Sequence, residues 1–179
     1  MNPKKIAITG GPGTGKTSII NCLLDKNYIC YEEISRQVTL QARQDGIEQL
    51  FLTEPLLFSQ KLLEGRREQY YKASKETTKV VFLDRGLPDV LAYMDFIGDD
   101  YPNHFIEACK THSYDAVFIL PPWEAIFKPD SERYENFEQS ISIYQHLQET
   151  YSNFGYELNE VPFGTVEERV NFILQTLDL

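Results

Sequence analysis

The residues best equipped for chemistry stand together near the start of the chain: Gly10, Gly11, Pro12, Gly13, Thr14, Gly15, Lys16 and Thr17 fill every fixed position of GxxxxGK[ST]. Glycines let successive backbone amides turn inward around a phosphate, and the helix that follows points its positive end at the same anion. Lys16 is spaced to reach the β and γ oxygens of a nucleoside triphosphate, and the Thr17 hydroxyl to bind Mg²⁺. Thr14 and Ser18 either neighbour the phosphates or bond locally at the helix start.

Further along, Asp84 closes an apolar run, Val80-Val81-Phe82-Leu83. A carboxylate at the C-terminal end of a parallel strand beside the phosphate loop can hold the water shell of the metal or accept a substrate proton. Arg85 follows it and suits a phosphate or a carboxylate partner. Glu33 closes an earlier apolar segment, with Arg36 three residues on as its partner along a helix face. Asp89 is either a helix cap or a substrate ligand. Between Pro121 and Glu138 lie Trp123, Lys128 and Arg133; the two cations suit a transferred phosphate, whereas the indole suits packing more than base stacking. Thr165, with Glu168 three positions later, reads as a capping box, and its side chain could also shape a pocket for the nucleotide base.

Elements must bring these residues to one edge. Ile6 to Thr9 reads as a strand, and Ile19, Ile20, Leu23 and Leu24 give the following stretch a helical period. Further strands are expected at Tyr28 to Glu32, Lys79 to Asp84, Tyr114 to Leu120 and Tyr156 to Val161. Leu50 to Ala73 reads as a long helix whose start is interrupted by Pro55. Five strands alternating with helices predict a three-layer α/β fold with a predominantly parallel five-stranded sheet, and the phosphate loop makes it a P-loop NTPase fold. With 179 residues the expectation is one domain, with a lid over 121–136.

A formal net charge of -10 opposes sequence-independent binding to a phosphate backbone, so nucleic acid is not expected as a partner. Cys22, Cys30 and Cys109 lack the spacing of a disulfide framework or a zinc site and read as buried free thiols. The sequence offers no apolar segment of membrane-spanning length, and a cytoplasmic protein that is not integral to a membrane is expected.

The ordered set of Gly10 to Thr17, Glu33 to Arg36, Asp84-Arg85-Gly86-Leu87-Pro88-Asp89, Leu120-Pro121-Pro122-Trp123-Glu124, Pro129-Asp130, Arg133 and Pro162 to Arg169 resembles a small kinase-like P-loop ATPase family of the AAA-domain type. That family includes the nicotinamide-riboside-kinase part of the NAD regulator and a GTP-binding phospholipid-responsive protein. The resemblance implies a nucleoside- and nucleotide-kinase-like fold in which Glu33 is the acidic residue after the second strand, Asp84 with Arg85 the element after the third, Arg133 the lid arginine, and the turn from Pro162 to Thr165 borders the nucleotide base. Two functions stay open. One is an ATP-dependent phosphotransferase acting on a nucleoside-like or other small hydroxyl substrate, with Lys16, Glu33, Asp84, Arg85 and Arg133 as catalytic residues and Mg²⁺ on Thr17 and Asp84. The other is an ATP- or GTP-binding switch, or slow hydrolase, that engages a lipid or protein partner. ATP is the working donor and GTP the alternative.

Overall fold

A computed structural model describes residues 2–128 and 135–179. The apolar runs of the sequence become parallel strands because their side chains are buried on both faces. β1 (Lys4–Gly10), β3 (Val80–Asp84) and β4 (Ala116–Leu120) form the centre of the sheet, flanked by β2 (Ile29–Tyr31) and β5 (Leu158–Glu160). All pairings are parallel, in the order β2-β3-β1-β4-β5.

Alternation along the strands divides the core in two. Ala7, Val81, Leu83, Val117 and Ile119 face one way, into a layer built from α4 (Pro55–Ala73), α5 (Pro88–Ile97), α6 (Asn103–Thr111) and α7 (Phe137–Asn153). Ile6, Ile8, Val80, Phe82, Phe118 and Leu120 face the other way, onto α1 (Lys16–Asp25) and α8 (Val166–Thr176). This is the predicted three-layer α/β architecture, with a sheet covered on both faces.

The outer strands are shorter than the sequence suggested. Tyr28 and Glu32 fall outside β2, and Tyr156 and Val161 outside β5; each of these strands pairs with a single neighbour over three positions. Lys79 and Tyr114 likewise precede β3 and β4. The proline-interrupted helix start is present: α3 (Leu50–Thr53) ends at Glu54, and Pro55 opens α4 at a position where its missing N–H costs no bond. The remaining helix, α2 (Ser35–Gln44), leads from β2 toward α3. The reading of three buried thiols is corrected to one, because only Cys109 is fully enclosed and Cys22 and Cys30 are half-buried. Burial pushes the thiols of both Cys30 and Cys109 up to about 12, which keeps them protonated and unreactive.

Register fixes where the site lies. Ile8 is opposite Asp84, and Gly10 is opposite Leu120, so the chain leaves β1, β3 and β4 at one edge of the sheet. At that edge, the segments after β2 and β3 lie on one side of the β1 loop, and those after β4 and β5 on the other.

Candidate functional site

The loop from Gly10 to α1 turns sharply into the helix. Gly15 has φ +90 in front of Lys16, a left-handed conformation that a side chain would strain, and a Cβ there would lie 2.8 Å from Arg169 Nη1. The Lys16 ammonium folds back over the loop, donating to the carbonyl oxygens of Gly10 at 2.8 Å and Gly11 at 2.7 Å. Burial, reinforced by the charge of Arg85, lowers its pKa to about 7. Thr14 is buried and donates its hydroxyl to the Gly11 carbonyl at 3.0 Å, which realises the local bond of the two roles open to it. Pro12 and Gly13 are partly exposed, and Thr17 and Ser18 are exposed at the first turn of α1.

On the β2–β3 side, Glu33, Arg66 and Arg85 form one ionic group. Glu33 Oε1 accepts from the backbone N–H groups of Ile34 at 3.0 Å and Ser35 at 3.1 Å, at the positive end of α2. The same carboxylate accepts from Arg66 Nη2 at 3.2 Å and from Arg85 Nε. Burial alone would raise its pKa, but Arg66 and Arg85 outweigh that and hold the carboxyl at about 2. The sequence offered Arg36 as the partner of Glu33; the guanidiniums on this carboxylate come instead from α4 and from the β3–α5 turn. Arg66 was missed, because a basic residue in the middle of a charged helix looks solvated until the helix is docked.

Arg85 itself has φ +75, a left-handed backbone that is uncommon for a residue with a side chain. This turn lets its guanidinium reach four groups. Nη1 donates to the Gly10 carbonyl at 3.1 Å and to Asp89 Oδ1 at 3.1 Å, Nε pairs with Glu33, and the cation lies 5.3 Å from the centre of the Tyr93 ring. Asp89, which the sequence left between cap and ligand, is enclosed: it accepts from Thr9 Oγ1 at 2.6 Å, Tyr151 OH at 2.6 Å and the Gly86 N–H at 2.9 Å. It supports Arg85 from below and is shut off from any ligand. Nothing in the sequence linked Thr9, Asp89 and Tyr151, which are brought together by the packing of α5 and α7 on β1.

Asp84 is buried, and its Oδ1 has no hydrogen-bond partner among the described residues. Burial raises its pKa, against the opposing charge of Lys16. A buried acceptor of this kind fits a water of a magnesium shell, and the exposed Thr17 hydroxyl supplies a second hard oxygen. No group of three or more His, Cys, Asp or Glu side chains that could hold a metal occurs among the described residues. Magnesium bound with nucleotide needs only one or two protein oxygens, because phosphates and waters supply the rest.

On the β4–β5 side, Trp123 begins a 3₁₀ turn (Glu124–Ile126) and stacks on Phe163, with ring centres 4.9 Å apart. Thr165 caps α8: its hydroxyl accepts from the Glu168 N–H at 3.2 Å, and its own backbone N–H donates to Glu168 Oε2 at 2.8 Å. This is the expected capping box. Lys128 is exposed at the end of the described stretch, while Pro129, Asp130 and Arg133 lie outside the described residues.

A parallel sheet in this strand order, a complete phosphate loop after its central strand and an acidic-basic pair after the next strand define a nucleotide-binding P-loop NTPase with the architecture of nucleotide kinases. A sequence profile described as AAA domain matches residues 5–169, and the chain belongs to that family. Dynamin-like protein A of Bacillus subtilis (strain 168) is 25% identical over 168 residues, covering 87% of this chain and 13% of that protein, so the chain spans about 13% of the length of this curated relative. Among solved structures, deoxyadenosine kinase from M. mycoides with products dCMP and a flexible dCDP bound aligns with a TM-score of 0.72 and 19% identity, over 97% of this chain and 98% of that one. NadR protein in complex with NR aligns with a TM-score of 0.77 and 16% identity, over 99% of this chain and 52% of that one. At these identities the likeness is one of fold. No helix among the described residues is long and apolar enough to cross a membrane.

Proposed function

We propose that this chain is a nucleoside triphosphate-dependent phosphotransferase, with ATP as donor, that acts on a nucleoside-like or other small hydroxyl acceptor. The observation that carries the reading is the ionic group on one side of the phosphate loop, in which Arg85 binds Glu33 and donates to the carbonyl of Gly10. An acceptor held there would lie next to the terminal phosphate of a donor in the loop. Among the solved structures named above, the deoxyadenosine kinase with dCMP as a bound product supports a nucleoside-like acceptor, since it shares this fold.

In this reading, Lys16 leaves the carbonyls of Gly10 and Gly11 and turns to the donor's β and γ oxygens. Thr17 and Asp84 hold the magnesium of the nucleotide, which when bound neutralises phosphate charge. Glu33 keeps its charge at neutral pH and orients the acceptor hydroxyl, acting by position more than by proton affinity. That division suits a loose transition state, in which alignment matters more than an early proton transfer. Arg85 faces the transferred phosphoryl group, and Arg133, outside the described residues, would close over it as part of a lid at 121–136.

The test is to incubate the protein with Mg²⁺, ATP or GTP, and a panel of nucleosides, nucleotides and small alcohols, reading phosphate gain by mass spectrometry. A phosphorylated product that disappears in Lys16→Ala and Asp84→Asn supports the proposal. If no acceptor gains phosphate while phosphate release responds to lipid vesicles or a protein partner, the chain is a switch instead.

A further inference from the structure

A cavity of about 550 Å³ lies at the end of the sheet where β4 and β5 begin, away from the edge that carries the phosphate loop. Its volume is that of a small-molecule site. Tyr114, Phe154 and Tyr156 give it aromatic walls, and the exposed residues Lys110, Asp115 and Glu157 give it a charged rim. Lys110 is committed to Glu107, whose carboxylate it meets at 3.0 Å. Asp115 accepts from the Lys5 N–H through Oδ2 at 2.7 Å, which leaves its other oxygen toward solvent, and Glu157 is paired with no cation among the described residues. Two helices also end beside the cavity, α6 at Thr111 and α7 at Asn153, each with the negative end of its dipole there.

Charge decides what fits. Two carboxylates and two negative helix ends face one lysine that is already neutralised, so the cavity favours a cation and repels anions such as nucleotides. Aromatic walls add attraction for a cation and suit an apolar body behind it. The walls are also tied to the turn that carries Arg85. Tyr114 is 6% exposed, and its hydroxyl accepts from the N–H of Leu87, two residues after Arg85, at 3.0 Å. Its own backbone N–H donates to the Tyr156 hydroxyl at 3.1 Å. The Tyr156 ring packs on Tyr151 with centres 5.5 Å apart, and the Tyr151 hydroxyl donates to Asp89, which holds Arg85. Two tyrosines thus link the cavity to the Arg85 turn.

We propose that this cavity is a regulatory site for a small organic cation, an ammonium or guanidinium on an aromatic or aliphatic body, and that its occupancy is transmitted to the Arg85 turn through Tyr114. The cationic head sits between Asp115 and Glu157, and the body packs on Tyr114, Phe154 and Tyr156. A ligand held against the Tyr114 ring restrains the Gly86-Leu87 turn in the conformation that already places Arg85 on Glu33, so occupancy favours the formed ionic group. Binding at the cavity is independent of the phosphotransferase reading; its consequence for the acceptor rests on that reading.

The test titrates the whole isotope-labelled chain with phenethylammonium, phenethyl alcohol and phenylacetate, which share a ring and differ in charge, and follows backbone amide NMR signals. Phenethylammonium is expected to move the amides of Gly155, Glu157 and Asn159 to saturation, with the alcohol weaker and phenylacetate without effect. Glu157→Gln, at an exposed position where the fold tolerates change, should weaken the cation about threefold, as for loss of one exposed charge pair, and leave the alcohol unchanged. The Leu87 amide should shift with the same midpoint, and its hydrogen exchange should slow. Tyr114→Phe keeps the ring and removes the hydroxyl, so the cation should still bind while the Leu87 response is lost. Absence of cavity shifts with every probe, or equal binding of phenylacetate and phenethylammonium, overturns the site. Cavity shifts without a Leu87 response, or a Leu87 response that survives in Tyr114→Phe, overturn the Tyr114 link. None of these readouts needs turnover, so failure of the phosphotransferase reading would show separately, as the absence of any phosphorylated acceptor.

Discussion

The Lys16 ammonium donates to the carbonyl oxygen of Gly11 at 2.7 Å, inside the loop it is built to serve. This contact substitutes two carbonyl oxygens for phosphate, and neutral acceptors stabilise a buried cation only in part. The consequence is a lysine with a pKa of about 7, which triphosphate oxygens would raise again. Nucleotide binding is therefore expected to take up a proton. At pH 8 the phosphates are already deprotonated, with a second pKa of about 6, so uptake there reports Lys16. Calorimetry of ATP binding in two buffers of different ionisation heat should show uptake approaching one proton at pH 8 and declining toward pH 6. Lys16→Ala should lose about 2–3 kcal/mol of nucleotide binding, and equal affinity in wild type and variant would remove Lys16 from the phosphate site.

Glu33 gives an acid-range prediction with a definite sign. Its folded pKa, about 2, is below the ordinary 4.5, so the stability it contributes is present above about pH 4.5 and lost as pH falls toward 2. Glu33→Gln should flatten the stability profile in that window. At neutral pH the change should cost on the order of 3 kcal/mol, because Arg66 is left buried without its carboxylate. Denaturant melts at pH 7, 4 and 2.5 measure both effects. In turnover assays the same variant should raise the acceptor KM and leave nucleotide affinity within about twofold, since Glu33 acts on the acceptor side.

The contrast between Glu33 and Asp89 shows what was legible in the sequence. Runs such as Val80 to Leu83 announced buried strands because their chemistry is local, and the phosphate loop announced itself by spacing. Both followed from neighbouring residues alone, as did the Thr165–Glu168 cap and the Pro55 break. The roles of the charged residues were not local. Glu33 looked able to pair with Arg36, yet its cations arrive from Arg66, 33 positions away, and from Arg85. Asp89 was left between helix cap and substrate ligand, but α7 brings the Tyr151 hydroxyl onto it from 62 positions away. Periodicity announced α4, but of the side offered by Leu56, Leu57, Leu63 and Tyr70 the first two are exposed, and it does not say which polar group on the buried side, such as Arg66, meets which partner. Trp123 was read as packing more than base-stacking, and it does pack, on Phe163.

Asp84 and Thr17 should separate from Glu33 in their metal dependence. Asp84 is buried, with an oxygen that has no hydrogen-bond partner among the described residues and a raised pKa, so removing its charge costs little stability. Asp84→Asn is expected to melt within about 1 kcal/mol of wild type while requiring more Mg²⁺ for half-maximal turnover and losing about 100-fold or more in rate. Thr17→Ala, at an exposed position, should share the shift in magnesium requirement. A normal magnesium titration in both variants would remove them from the metal site.

The interior beneath Arg85 allows a prediction about coupling. Gly86 donates its N–H to Asp89 at 2.9 Å, and a Cβ at that position would lie 2.5 Å from the Tyr151 hydroxyl and 2.9 Å from the Tyr114 ring. Gly86→Ala must therefore displace Tyr151, and with it one of the hydrogen bonds on a fully buried carboxylate. The expected cost is about 2–3 kcal/mol, at the upper end for overpacking. Tyr151→Phe removes the hydroxyl and leaves Asp89 short of a donor, at about 1–3 kcal/mol. Because both changes act on the same oxygen, their effects should not add: in the Tyr151→Phe background the added methyl meets no hydroxyl, so Gly86→Ala should cost about 1 kcal/mol less than in wild type. Part of the penalty should persist, since Tyr114 still crowds the site. Equilibrium denaturation of the two single variants and the double variant gives the coupling directly. Strict additivity would mean that the Tyr151 hydroxyl is free to move away, and that Asp89 holds Arg85 in its left-handed turn without it.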